Sequence, residues 1–282
     1  MDIVRTVADL RTRVSAWRGT GETVGLVPTM GGIHEGHLAL VRAAGERFDR
    51  TVATLFVNPK QFAPGEDFGA YPRDEEGDAG RLDAEGVDLL FVPPESVMYP
   101  EAHATRVEVA DLGSILEGAF RPDFFTGVAT VVAKLLLQVL PDAALFGEKD
   151  FQQLRVVQRM VLDLDVPVEI VGVPTVREPD GLAFSSRNLY LSAPEREIAP
   201  ALFATLSAVA EAVRAGADPE WRERWAESEL VSAGFDSVDY VAVRDGATLG
   251  RYLGPYAAGQ GPGRVLAAAR LGKARLIDNV AL

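Results

Sequence analysis

The chain has 282 residues, with 28 Lys or Arg against 41 Asp or Glu, a formal net charge of −13. That balance argues against a main surface built for nucleic acid, which needs a basic face. A composition 48% apolar and 24% charged excludes disorder as the main state, and zero cysteines exclude a disulfide framework, a thiolate metal site and a Cys nucleophile.

The N-terminus, MDIVRTVADLRTRVSAW, carries charges throughout and lacks a signal-peptide core. No run reaches about 18 uncharged apolar residues, so the expected compartment is the cytoplasm. Residues 23–28 (TVGLVP) form a short apolar run ending at Pro, and residues 37–48 have helical spacing. Residues 51–57 (TVATLFV) read as a buried strand, 74–85 as a polar helix and 87–92 (VDLLFV) as another strand. An apolar helix is predicted over 127–140, a strand over 143–146, a helix over 152–164 and a strand over 168–173. Short strands alternating with helices point to βαβ units and an α/β domain built on a parallel sheet with helices on both faces.

The pattern changes near Pro174. A loop rich in Gly, Ser, Arg and Asn runs to Ser192, the expected N-cap of a long helix over 194–214. A second helix is predicted over 219–233, then strands over 238–243, 265–269 and 274–280 with connections suited to antiparallel pairing. The Gly-rich stretch over 250–263 reads as a turn. The expected division is therefore a domain over 1–175 and a smaller α+β domain over 176–282, with no internal repeat.

Four segments carry chemistry. Pro28-Thr29-Met30-Gly31-Gly32-Ile33-His34-Glu35-Gly36-His37 sits where the first predicted strand gives way to a helix, and two of the three histidines lie in it. A helix N-terminus at the carboxyl edge of a parallel sheet is an anion site. Histidines at i and i+3 share a helical face and can donate to one phosphate group. Two histidines on a solvated helix start are the alternative. The spacing differs from a metal-binding H-E-x-x-H. Gly147-Glu148-Lys149-Asp150 follows another strand and brings one of only four lysines to the same edge, although GEKD alone also fits a surface turn. Ser185-Ser186-Arg187-Asn188 lies at the expected domain junction, where two hydroxyls and a guanidinium can hold a triphosphate; a simple turn fits it too. Asn58 and Gln61 in NPKQF are neutral amides at the ligand edge, suited to hydroxyls or carboxylates, or simply ending a strand.

Taken together, PTMGGIHEGH (28–37), FVNPKQF (56–62), YPRD (71–74), MYP (98–100), LEG (116–118), GVATVVAKL (127–135), FGEKDFQQL (146–154) and PTVREPDGLAFSSRNLYLS (174–192) resemble the pantothenate synthetase family across nearly the whole chain. The resemblance implies the nucleotidyltransferase superfamily with a Rossmann-like domain. Its HxGH signature is HEGH here, and the counterpart of the KMSKS loop is Phe184–Arg187. It implies a ligase that attacks the α-phosphate of ATP with the pantoate carboxylate, forms pantoyl adenylate and transfers the acyl group to β-alanine.

By the same resemblance, the ATP site comprises Met30, Gly31, Gly32, Ile33, His34, Glu35, Gly36, His37, Gly147, Glu148, Lys149, Asp150, Val176, Phe184, Ser185, Ser186 and Arg187. Within it, His34, His37, Lys149 and Arg187 carry the chemistry, with His37 as the proton donor. Gln61 and Gln153 hold pantoate, and Gln61 also lies near β-alanine. Mg2+ is the implied cofactor, with no assigned ligand, and a homodimer the implied assembly. Phe184 stands where the family has Met, and Arg121-Pro122-Asp123-Phe124-Phe125 where it reads RPGHF. Two rivals are weighed against this: a nucleotidyltransferase of the same fold acting on another small substrate, and a non-catalytic nucleotide-binding module, which has no need of Lys149 and Arg187.

Overall fold

A computed structural model describes residues 1–254 and 261–282. The chain opens with β1 (Asp2–Val4) and α1 (Val7–Gly19), whose N-cap Thr6 accepts from the Asp9 N–H. Neither element was expected from the sequence. There follow β2 (Val24–Thr29), α2 (Glu35–Gly45), β3 (Arg50–Leu55), α3 (Glu75–Ala84), β4 (Leu89–Phe91), and the short α4 (Glu95–Met98), α5 (Ala110–Ser114) and α6 (Glu117–Phe120). Then come α7 (Phe124–Val139), β5 (Ala143–Gly147), α8 (Phe151–Asp163) and β6 (Glu169–Val173).

The six strands form one parallel sheet in the order β1-β4-β3-β2-β5-β6. The chain builds outward from β2 through β3 to β4, then returns to the other side of β2 with β5 and β6. The order reverses between β2 and β5, which pair at Gly25↔Ala143 and Leu26↔Ala144. In open α/β sheets the crevice at that reversal binds the ligand. The strands are continuous apolar runs because helices cover both faces: Leu26, Val52, Leu89 and Phe91 are fully buried on the side that carries α7, and Val27, Ala53 and Leu90 on the side that carries α2.

The remaining elements are α9 (Ala193–Ile198), α10 (Ala201–Arg214), α11 (Pro219–Ala233), β7 (Ser237–Asp245), β8 (Gly263–Leu271) and β9 (Ala274–Ala281). The three strands pair antiparallel in the order β7-β8-β9. The single helix expected over 194–214 is two. Ser192 does open α9, in a capping box with Glu195, but Pro200 has no N–H to continue the ladder, and α10 starts afresh after it. Of the Gly-rich stretch over 250–263, expected as a turn, residues 255–260 lie outside the described residues.

The two sheets share packing. Ala242, Leu249 and Leu266 join the same buried cluster as Phe151, Leu154 and Phe146, whereas Leu182, Leu202, Leu206 and Val265 belong to a second cluster between α10 and the small sheet.

Candidate active site

A cavity of about 730 Å³ opens at the carboxyl ends of β2, β3 and β5. It brings together the segments singled out by sequence. Met30, His34, Gly36, His37, Gln61, Gly147, Lys149, Asp150, Gln153, Val176, Phe184, Ser185, Ser186 and Arg187 all line it. Gly31, Gly32, Ile33, Glu35 and Glu148 do not. Ile33 is packed into the core, Glu35 pairs with Arg42, and Glu148 pairs with Arg264 at 2.9 Å.

The turn after β2 is shaped by two glycines in left-handed conformation, Gly31 at φ +93° and Gly32 at φ +62°. The N–H groups of Gly32 and Ile33 both donate to the buried Asp78 carboxylate, at 2.8 Å each. Asp78 comes from α3, and Arg81 of the same helix donates to the Ile33 carbonyl at 2.8 Å. This anchor delivers the chain to α2 with His34 as N-cap. His34 Nδ1 accepts from the Gly36 N–H, and His37 Nδ1 accepts from the His34 N–H, a capping box built from two imidazoles. Their rings lie 4.0 Å apart.

With both Nδ1 atoms accepting, a neutral ring carries its proton on Nε2. Both rings are held neutral. Burial pushes His34 down to about 4, with Lys149 adding to the effect. Burial also holds His37 well below its ordinary value, aided by His34 and Lys149. The site therefore presents two neutral Nε2–H donors at a helix N-terminus.

On the other side of the reversal, the turn after β5 carries Lys149, 3.9 Å from Asp150. The small sheet fixes this turn. Asn279 of β9 donates to the carbonyls of Glu148 and Lys149, both at 2.8 Å.

The loop after β6 folds back on itself, the Phe184 N–H donating to the Val176 carbonyl at 3.1 Å. The Phe184 ring lies beside His34 with centroids 6.3 Å apart and 22° between the planes. Ser185 caps the following 3-10 turn by accepting from the Arg187 N–H, and Ser186 meets the Tyr71 hydroxyl at 3.4 Å. Arg187 makes a two-point contact with Asp67 through Nε and Nη2, each at 3.1 Å.

Gln61 is buried. Its Oε1 accepts from Asn58 Nδ2 at 3.0 Å, so its amide N–H groups remain for a ligand. Asn58 is itself fixed by the Tyr99 hydroxyl and the Gly127 carbonyl. Arg121, next to the departure at Asp123 and Phe124, donates to the Gln61 carbonyl and to both oxygens of Glu66, and lies 3.8 Å over the Phe124 ring. Asp123 takes φ +66°, a conformation that Gly adopts freely and Asp tolerates. Tyr71 was found by sequence only within YPRD, without a role, and Asp67, Asp78, Glu66 and Asn279 were not found. Their partners lie 45 to 131 residues away, and no local spacing signals them.

A doubly wound sheet with imidazole donors, a lysine and an arginine loop around one crevice is a nucleotide-binding α/β enzyme acting on phosphates. The profile of the pantoate–β-alanine ligase family matches residues 2–281. The chain is 56% identical over 280 residues to the pantothenate synthetase of Caulobacter vibrioides, covering 99% of this chain and 98% of that protein. It superposes on the pantothenate synthetase of Thermus thermophilus with a TM-score of 0.92 at 50% identity, covering 99% of each chain. A pantoate–β-alanine ligase from Francisella tularensis, solved with a β-γ ATP ligand and β-alanine, gives 0.82 at 32% identity, covering 100% of this chain and 97% of that one.

The chain belongs to the pantoate–β-alanine ligase family. It is an ATP-dependent ligase that condenses pantoate with β-alanine through pantoyl adenylate. Both rivals weighed from the sequence fall away.

Proposed function

We propose that the cavity carries out both half-reactions, with its ends divided between nucleotide and acid. In the first, a pantoate carboxylate oxygen attacks the α-phosphorus and the bond to the leaving pyrophosphate breaks. Negative charge grows on the phosphate oxygens, so fixed donors aimed there are the main catalytic device. His34 and His37 supply Nε2–H donors from the start of α2, whose own N–H groups favour an anion. Lys149 and Arg187 neutralise the transferring and leaving phosphates, and Ser185 and Ser186 hold the triphosphate. The Val176 carbonyl is engaged by Phe184, which leaves its N–H for adenine, and Gly147 and Asp150 face the adenosine.

In the second half-reaction the β-alanine amine attacks the activated carbonyl, the C–O bond to AMP breaks and the amine loses a proton. Met30 and Gly36 line the nucleotide. Closure of residues 176–282 over a domain of 1–175 belongs to this reading.

Magnesium enters with the nucleotide. Among the described residues no group of three or more His, Cys, Asp or Glu forms a protein cage for it. The lining suits a hydrated ion carried by the triphosphate and faced by a single carboxylate such as Asp150. When bound, it neutralises phosphate charge. Among the described residues no helix is long and apolar enough to cross a membrane. Cytoplasmic location rests on the sequence reading that found no signal-peptide core and no long apolar run, and a homodimeric assembly rests on the family resemblance.

The observation that carries the pantoate assignment is the orientation of Gln61 by Asn58. A site built to bond hydroxyls rejects ligands lacking them, because its own polar groups are then stranded. Gln61→Ala and Gln153→Ala should raise the pantoate requirement while ATP affinity changes little. Separate titrations of pantoate and ATP decide it; an equal rise in both removes these residues as pantoate readers.

A further inference from the structure

The segment between the NPKQF turn and Tyr71 carries two consecutive carboxylates, and each is committed to a different arginine of the cavity. Glu66 takes Arg121 in a two-point contact at 2.7 and 2.6 Å. Asp67 takes Arg187 in another, at 3.1 Å twice. Arg121 also holds the Gln61 carbonyl at 3.1 Å, so this strap is registered against the pantoate end before it reaches the phosphate end. Glu66 further accepts from the Ala63 N–H at 3.1 Å, which stiffens the strap itself.

The Arg187–Asp67 contact uses one edge of the guanidinium. Nε and Nη2 are occupied and Nη1 has no partner among the described residues. An arginine on an irregular loop has four rotatable side-chain bonds, and its planar fork is useful only when its orientation is fixed. Here the loop supplies backbone order through the Ser185 cap, and among the described residues only Asp67 fixes the plane of the guanidinium. The side chains are largely shielded, at 28% exposure for Arg187 and 23% for Asp67. The proximity of Asp67 keeps the guanidinium firmly charged in spite of its burial.

We propose that Asp67 is a positioning residue for the adenylation half-reaction. It clamps the Nε–Nη2 edge of Arg187 so that Nη1 is presented to the leaving phosphates. Glu66 plays the supporting part, tying the strap to Arg121 so that the clamp sits at a fixed distance from bound pantoate. Asp67 touches no reacting atom. Its negative charge does nothing to attract ATP, and its contribution is orientation, realised when charge moves onto the pyrophosphate.

This inference rests on the assignment of Arg187 to the phosphates, and the test separates the two. Four full-length proteins are compared: the parent, Asp67→Ala, Arg187→Ala and the double variant. Each is measured in three assays with Mg2+ present: binding of β,γ-methylene-ATP by calorimetry, single-turnover formation of pantoyl adenylate from ATP and pantoate, and aminolysis of supplied pantoyl adenylate by β-alanine. Asp67→Ala should slow adenylate formation by roughly 10- to 100-fold, the cost of a misplaced catalytic group. Its affinity for the ATP analogue should stay within about threefold of the parent, or tighten, since a negative charge has been removed. Aminolysis should stay within about twofold, because the pyrophosphate has already left.

In the double variant, Asp67→Ala should add almost nothing to the defect of Arg187→Ala, because one residue acts through the other. Asp67→Asn keeps the shape and one acceptor oxygen, and should fall between Ala and the parent. Equal slowing of both half-reactions, or additive losses in the double variant, assigns Asp67 a structural role and overturns the inference. Normal adenylation by Asp67→Ala with a slow Arg187→Ala overturns it while leaving Arg187 in place. Normal adenylation by Arg187→Ala overturns both.

Discussion

The two histidines cap the helix and line the cavity, and in the proposed function they also face the substrate, so the two roles can be separated. Asn is as good an N-cap as any residue, and Gln at the third helical position can reach back to the cap N–H. His34→Asn and His37→Gln therefore keep the capping box of α2 while deleting the Nε2–H donors. Each should slow adenylate formation by roughly 10²–10³-fold, as for the loss of one oxyanion donor, while the urea midpoint hardly moves. A single-turnover assay beside a denaturant titration checks this; an active variant removes that histidine from the chemistry. Protonation supplies a second readout. The unfolded chain takes up protons on these rings near pH 6.5, whereas native His34 does so only near 4. Between those values the unfolded state holds more protons, so stability should be full above pH 6.5 and fall as pH drops toward 4. The combined His34→Asn, His37→Gln variant should show a flatter slope over that window. These residues were legible because histidine is scarce and HEGH is flanked by glycines. Asp78 was not, since within EEGD at the start of a polar helix it looks like one more solvated charge.

Placement of secondary-structure elements supplies the next level of control. The NPKQF turn is pressed against α7, where Asn58 Nδ2 donates to the Gly127 carbonyl at 3.1 Å. A Cβ on Gly127 would clash with the Lys60 carbonyl oxygen, a backbone atom that no rotamer moves aside. Gly127→Ala must therefore push the turn away from the helix and carry Gln61 with it. The expected cost is about 1–3 kcal/mol of stability from overpacking, and a pantoate KM raised by roughly tenfold with little change for ATP. Steady-state titration of each substrate checks the asymmetry; unchanged pantoate saturation contradicts it. The alternation of strands and helices made most elements of the large sheet readable, because period and punctuation are local properties. The break between α9 and α10 was missed although Pro200 marks it, since apolar residues continue on both sides. The closeness of Gly127 to Lys60 could not be read, because the two are joined only through the packing of α7 on the turn.

Across the whole molecule, the site is assembled from both sheets. The parallel sheet supplies the crevice, and β9 of the small sheet reaches across it: Asn279 holds the carbonyls of Glu148 and Lys149, Arg275 pairs with Glu117 at 2.6 and 2.7 Å, and Arg177, just beyond β6, pairs with Asp278 at 2.6 Å. The sequence indicated two units and a site near their junction, but not these cross-links, which depend on the register of one sheet against the other. In the proposed function Lys149 is the cation of the first half-reaction, held at the reversal of strand order and not needed once pyrophosphate has gone. The most direct measurement follows the two half-reactions of Lys149→Ala by mass spectrometry. With ATP, Mg2+ and pantoate alone, the parent should accumulate pantoyl adenylate and pyrophosphate, and the variant should form adenylate at least roughly 10²-fold more slowly. Given pantoyl adenylate and β-alanine, both should release AMP and pantothenate at rates within about twofold of each other. Equal loss in the two half-reactions, or adenylate formation by the variant at the parental rate, would contradict the account.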